Sequence, residues 1–285
     1  MLPTKWAVGI TTVPSRTESY KATITSLHKA GFDYSYLTTF TDYHRNAWAN
    51  WILGMYTLWI RHGGPSKCPN CNDDIVNDVC WRSVQQPGDC DYKQRTLFAM
   101  FQDDIIAVKN LRQYLEQMDW PTCTFQRQIW ARQEVAQSPG TYLNLYTFLQ
   151  NEQVVAGEES GKWYEGSQIS GGNSQGLQRG QGALGLVFDR DGIKKLLASP
   201  ITVNKITDPK RGHKAIDGAV ATVMNSVGYR EMVHNPSLLR HTGILSAIRS
   251  QDAGEETDCP FAPDLTFPGE DFDALSLLAT TTIGK

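Results

Sequence analysis

Two adjacent carboxylates, Asp103 and Asp104, stand between the apolar runs of "FAMFQDDIIAVKNL", residues 98–111. Ionised groups are not left unpaired in such surroundings. Either the pair turns out into solvent, as Asp commonly does in turns, or it holds a cation. Oxygen donors suit Mg²⁺ or Mn²⁺, and an added imidazole suits Mn²⁺ in particular. Two further groups bear on that choice. Asp217, in "KAIDGAVATVMNSVG", falls near a helix start, where backbone N–H groups favour a carboxylate. His241, in "RHTG", is a lone histidine, and such a residue commonly serves as a satisfied loop or core group.

The elements around these residues say where the pair must lie. "KWAVGITTV", residues 5–13, is a β-branched apolar run ending at Pro14, which predicts a buried strand. Ser15 and Thr17 supply helix-start residues for the following segment, and Gly31 supplies its stop. "YSYLTTFTD" predicts a second strand, "AWANWILGMYTLWIRHGG" a largely apolar helix, and "TLFAMFQDD" a third strand. Strands alternating with helices imply an α/β fold with a mostly parallel central sheet flanked by helices. Ligands bind beyond the carboxyl ends of such strands, which places "TTVPSR" and "QDD" on the site side. On this reading the carboxylates mark the rim of a cleft and are not buried in the core.

The second half opens on "GSQISGGNSQGLQRGQG", residues 166–182, expected to be a mobile loop that packs no core. Trp163 and Tyr164 precede it, as aromatics that either stack on a ligand or simply pack. "ALGLVFDRDGIKKLLAS" predicts strand, turn and helix, the Asp217 segment a further helix, and "REMVHNPSLLRHTG" a short strand and loop. Residues 1–250 are expected to form one domain, with a Cys-rich insertion at 61–95, and residues 251–285 an acidic, Pro-containing tail that wraps the surface or frays.

Composition excludes several classes. Of the 285 residues 40% are hydrophobic and 20% charged, which suits a globular protein with a sizeable core. There is no run of membrane-spanning length and no secretory leader, so a cytoplasmic location is expected. The net charge is −3, but the last 35 residues carry −7, leaving about +4 on the body. That balance suits an anionic ligand and falls far short of a nucleic-acid stripe. Cys68, Cys71, Cys80 and Cys90 lie within 23 residues. They could close a tetrahedral structural Zn²⁺ knuckle or pair as disulfides, and the spacing leaves both open.

The order "VGITTVPSR", "FQDDI", "GALGLVFDRDGIKKLL", "AIDGAV", "HNPSLLRHTG" resembles the metal-dependent nucleotide-sugar glycosyltransferases of GT-A fold. It is most similar to the N-acetylglucosaminyltransferase IV type, in which a carboxylate-bearing helix and a C-terminal histidine motif follow the acidic motif. The resemblance spans about residues 5–245. It implies a nucleotide-sugar donor, a UDP-sugar foremost, a Mn²⁺ or Mg²⁺ cofactor and a hydroxyl acceptor such as a glycan or a protein. The expected cytoplasmic location, the slightly basic body and the cysteine knuckle add a narrower reading of the acceptor, that of a viral DNA glycosyltransferase acting on a hydroxymethylated base. Gln102, Asp103 and Asp104 then take the DxD position, with Gln102 standing where an acid is usual. Asp104 and His241 are the implied metal ligands, with Asp103 nearer the sugar or ribose. Thr11, Thr12, Val13 and Arg16 are the implied nucleotide loop, and Asp217 is the implied general base of an inverting mechanism. Because Gln102 removes one negative charge, an inactive nucleotide- or carbohydrate-binding module of the same fold is the alternative.

Overall fold

The computed structural model describes residues 4–43, 46–62, 95–122, 140–170, 176–202, 216–242 and 266–280. The Cys-rich segment, Cys123, Cys259 and the first part of the acidic tail lie outside these residues.

The chain builds a seven-stranded sheet in the order β2-β1-β3-β7-β5-β8-β6. The strands are β1 (Lys5–Thr12), β2 (Leu37–Thr41), β3 (Thr96–Gln102), β5 (Gly140–Asn144), β6 (Lys162–Glu165), β7 (Gly185–Phe188) and β8 (Tyr229–Asn235). β1, β2 and β3 are mutually parallel, β7 runs against both β3 and β5, β8 is parallel to β5, and β6 is antiparallel to β8. Five strands therefore share one direction. The expected α/β architecture with a mostly parallel central sheet is present.

Both faces of the sheet are covered, which explains why β1 and β3 read as unbroken apolar runs. Trp6, Val8 and Ile10 of β1 and Leu97, Ala99 and Phe101 of β3 face α1 (Thr17–Lys29) and α3 (Leu111–Gln117). Ala7, Phe98 and Met100 face α2 (Ala47–Arg61), α5 (Arg190–Ala198) and α6 (Ile216–Ser226). α1 and α2, the crossovers on either side of β2, thus lie on opposite faces, and β1 sits between its two partners as the point where the winding reverses. α4 (Leu149–Val155) leads into β6. α7 (Ser276–Thr280) and the preceding residues of the tail pack beside α3, where Ala274 and Leu277 join the core. The described end of the acidic tail therefore wraps the body instead of fraying.

α1 begins at Thr17, one of the two expected helix-start residues, directly after Arg16, which makes no side-chain cap bond. One expectation needs correction: the glycine-rich stretch is less free than its composition suggests. Its two described ends bridge at Gln168 and Gln178, and Gln178 is buried against β8. The Gln178 amide Nε2 donates to Glu231 O at 2.9 Å and its Oε1 accepts from Glu231 N, so a side chain supplies the ladder bonds that β6 is too short to make.

Candidate functional site

The site is assembled by a second, minimal sheet. β4 (Ile105–Ala107) pairs antiparallel with β9 (Leu239–His241), in a register that sets Ile105 opposite His241. Two buried hydroxyls of α1 satisfy β4's other edge. Ile105 N donates to Thr23 Oγ1 at 3.0 Å, and Ala107 N donates to Ser26 Oγ at 2.9 Å. Thr242 N donates to Asp104 O at 2.8 Å, so β9 is zipped onto the residue just before β4. The "HNPSLLRHTG" segment thus contributes a second strand where the sequence predicted only a loop.

At the carboxyl ends of β1 and β3 this brings Thr12, Arg16, Asp103, Asp104 and His241 together. Thr12 Oγ1 donates to Asp103 Oδ2 at 2.6 Å. Arg16 Nη1 donates to Asp103 Oδ1 at 3.0 Å and also to Asp104 Oδ2. His241 Nε2 lies 3.1 Å from that same Asp104 oxygen. Asp104 Oδ1, by contrast, is buried with no hydrogen-bond partner among the described residues. The carboxylates are not at an open rim: Asp103 is 3% exposed and Asp104 2%. The physical reason is the guanidinium laid across both, which permits burial that an unpaired anion would forbid.

The two acids are pushed in opposite directions. Burial raises the Asp103 pKa, and the Thr12 hydroxyl and Arg16 only partly offset it. Burial opposes ionisation of Asp104 too, but the His241 hydrogen bond and charge, together with Arg16, outweigh it and leave its pKa lowered. Arg16 is held charged: burial works against it, and the coulombic pull of Asp104 and Asp103 more than compensates. Of the two, Asp104 is the acid held more firmly in its ionised form.

Among the described residues no group of three or more His, Cys, Asp or Glu side chains forms a ready-made metal cage. Asp104 and His241 could nevertheless supply part of a shell. Cis ligands about 2.1 Å from an octahedral ion lie about 3.0 Å apart, which is close to the Asp104–His241 spacing of 3.1 Å. With the orphaned Asp104 Oδ1, the donors are one carboxylate and one imidazole, a set that suits Mn²⁺. Mg²⁺ and Mn²⁺ sites that serve phosphate ligands commonly take only one or two protein carboxylates, the remainder being water and phosphate.

The other expected site residues are placed as follows. Thr11 Oγ1 donates to Phe101 O at 3.3 Å, so the hydroxyls of Thr11 and Thr12 are both directed at β3. Val13 O accepts from Arg16 N at 3.1 Å, closing the turn that aims Arg16 back at the acids. Gln102 points the other way, its Nε2 donating to Ala183 O at 3.2 Å. Asp217 accepts from Gly182 N at 2.9 Å and from Gly218 N at 2.8 Å. Gly180, at φ +68°, lies so close to Asp217 O that a Cβ there would sit 2.4 Å from it. Asp217 and Gln102 therefore hold the same segment, residues 182–184, from two sides. Trp163 packs edge-on against His234, with its Nε1 on Met118 Sδ, which makes it a core aromatic.

Three residues escaped sequence reasoning. Asn144 Nδ2 reaches Gln181 O at 2.8 Å, Gly182 O at 3.0 Å and Glu231 Oε1 at 3.1 Å. Glu231 lies fully buried; burial pushes its pKa up to about 8, Asn144 opposes the rise and the charge of Asp217 adds to it. Asp42, buried at the end of β2, donates its N–H to Thr12 O at 2.8 Å, placing a third acid beside the β1 terminus. Position at the end of a β-rich run was the one signal for Asp42; for Glu231 there was none. No helix among the described residues is long and apolar enough to cross a membrane. The chain matches no protein-family model, and no curated protein is significantly similar to it.

Proposed function

We propose that the protein is a metal-dependent glycosyltransferase of GT-A type that moves a sugar from a nucleotide-sugar, a UDP-sugar foremost, to a hydroxyl acceptor with inversion. The observation that carries this reading is the buried Asp104, its pKa lowered: one oxygen faces His241 at 3.1 Å and the other has no partner among the described residues, at the carboxyl end of β3. A buried carboxylate oxygen left unmatched costs about 1–3 kcal/mol or more, so its persistence points to a ligand that completes it. The site also lies beside β1, the reversal point of the sheet, where α/β folds bind nucleotides.

Asp104 and His241 would hold the cation, which when bound supplies charge to offset that developing on a departing diphosphate. Arg16 adds a second positive group on the nucleotide side, suited to bidentate contact with phosphate oxygens. Asp103, saturated by Thr12 and Arg16, fixes the direction from which Arg16 acts. Asp217 is the candidate base for the acceptor hydroxyl, and the N–H of Gly182 holds its carboxylate against the segment that leads into β7.

The test is nucleoside diphosphate release from a panel of nucleotide-sugars with Mn²⁺. Release that is lost in EDTA and falls at least about 100-fold in Asp104→Asn supports the reading. Turnover unaffected by either change refutes it. One observation favours a second reading, a nucleotide-binding module of the same fold without turnover: both Asp217 oxygens already accept backbone amides. Calorimetric binding of UDP with no sugar release from any donor would select it.

A further inference from the structure

Asp217 sits at the start of α6, and one of its two backbone partners comes from outside that helix. Gly182 N donates to Asp217 Oδ2 at 2.9 Å, whereas the partner of Oδ1, Gly218 N, belongs to the next residue in the chain. Among the described residues, only the first of these bonds ties the carboxylate to another element. The segment that makes it has little stiffness of its own. Gly180 and Gly182 have φ of +68° and +74°, and a glycine passes easily from such a conformation to others. What aims the Gly182 N–H is therefore a set of contacts made to the segment from outside.

Asn144, wholly buried at the carboxyl end of β5, supplies them. Its Nδ2 donates to Gln181 O at 2.8 Å and to Gly182 O at 3.0 Å, the carbonyls on either side of residue 182, and lies 3.1 Å from Glu231 Oε1. Gln181 O and Gly182 N belong to one planar peptide. The plane that Asn144 grips is thus the plane that presents the N–H to Asp217. The asparagine is itself fixed, because its Oδ1 accepts from Tyr146 N at 3.1 Å, and this contact with the two carbonyls settles which end of the amide faces the glycines. A carbonyl that accepts a hydrogen bond polarises the N–H of its own peptide, so the two bonds in line strengthen one another. An ionised carboxylate offers about four lone-pair sites. The two amides fill two of them, which leaves Asp217 oriented and still able to take a proton.

We infer that Asn144 is a positioning residue of the transfer reaction: it acts through the Gln181–Gly182 peptide to aim the Asp217 carboxylate at the acceptor hydroxyl. This rests on the reading of Asp217 as general base. It goes beyond that reading by giving a role in turnover to a residue that touches neither donor nor acceptor. Loss of the Asn144 contacts leaves the donor-binding groups at the ends of β1 and β3 as they are, so the deficit falls on kcat and not on the KM of the donor.

The test has two arms, both on the full chain. In the first, Gln carries a ¹³C carbonyl and Gly a ¹⁵N amide, which selects the Gln175–Gly176 and Gln181–Gly182 peptides in a nuclear magnetic resonance spectrum. The amide that shifts in Asp217→Asn is that of Gly182. Its hydrogen exchange should be at least about tenfold faster in Asn144→Asp, which keeps the acceptor for Tyr146 N and loses the donor. Asn144→Ser is the substitute if Asn144→Asp does not fold. In the second arm, nucleoside diphosphate release is measured across the nucleotide-sugar panel with Mn²⁺. Asn144→Asp should lower kcat at least about tenfold, with the donor KM within about threefold of wild type. In the Asp217→Asn background the same substitution should cost less than about twofold further, because no base is left to aim. A Gly182 amide that is unprotected in the wild type, or exchanges equally fast in wild type and variant, overturns the inference. So does an equal fold loss in both backgrounds when Asp217→Asn alone lowers turnover, and that result leaves the base assignment standing. Unchanged turnover in Asp217→Asn, or no release from any donor, removes both.

Discussion

Glu231→Gln should change the pH dependence of stability in a direction that follows from burial alone. Glu231 is fully buried in β8, and its pKa is pushed from an ordinary 4.5 up to about 8. The folded state therefore holds a proton that the unfolded chain gives up, and stability conferred by this group is complete below the unfolded value and lost as pH rises through the folded one. Each pH unit across that window is worth about 1.4 kcal/mol, so the span from pH 4.5 to pH 8 amounts to about 5 kcal/mol. Glutamine keeps the acceptor that Asn144 uses and carries no titratable proton. Below pH 4.5 the two proteins should be nearly equal in stability. Above pH 8 the variant should be the more stable, by a difference approaching that figure. Urea unfolding at half-unit pH steps measures it, and subtracting the two curves cancels every other ionisation they share. Parallel curves between pH 4.5 and pH 8 would refute the reasoning and show that Glu231 is ionised or solvated in the native state.

The small β4–β9 sheet gives a second expectation: Thr23→Val leaves the buried N–H of Ile105 unpaired, at a cost of about 1–3 kcal/mol measurable by denaturant unfolding. Asp217→Asn, which leaves one of the two backbone amides without its acceptor, should cost about 1–3 kcal/mol in urea unfolding, while lowering turnover by about 10²–10⁴-fold in a nucleoside diphosphate release assay run where the variant is folded, as expected of a general base. Leu277→Ala should cost about 2–5 kcal/mol in urea unfolding, because this tail residue is buried in the core beside α3.

How much of this was legible in the sequence depended on whether the signal was local. β1 and β3 are runs of seven or eight residues covered on both faces, so their apolar continuity announces them, and the polar residues that end them mark the site side. β4 and β9 have three residues each and pair across more than 130 positions. No period is visible over three residues, and what fixes β4 is the pair of hydroxyls on α1, which read as ordinary polar positions. The Thr12 hydroxyl donates to Asp103, a contact that only the parallel pairing of β1 with β3 creates and that no local pattern announces. Glu231 follows Arg230, and two adjacent charged residues read as the solvated start of a strand. It is buried because Gln178 and Gly166 close over it, and a glycine-rich composition gives no hint that its ends are anchored. The Gly166 position has room for no side chain, since a Cβ there would meet Glu231 Oε2 at 2.6 Å.

The two neighbouring acids at the site are not equivalent, and that asymmetry makes a sharper test than either substitution alone. Both oxygens of Asp103 are matched by the protein, one by Thr12 and one by Arg16, and its pKa is raised, chiefly by burial. Asp104, held the more firmly ionised, shares one oxygen between Arg16 and His241 and leaves the other unmatched among the described residues. An amide at 103 can still accept from Arg16 through its oxygen and donate to the Thr12 hydroxyl through its nitrogen, so it keeps both contacts and loses the charge of one partly exposed pair. An amide at 104 removes the anion that neutralises Arg16 and presents donors to it, which is the broken buried pair that costs about 3–5 kcal/mol. Asp103→Asn should therefore bind Mn²⁺ within about tenfold of wild type, whereas Asp104→Asn should lose at least about a hundredfold, read by the electron paramagnetic resonance signal of the free ion. Equal losses would mean that the two carboxylates grip the ion together, and the division of roles drawn from their hydrogen bonds would be wrong.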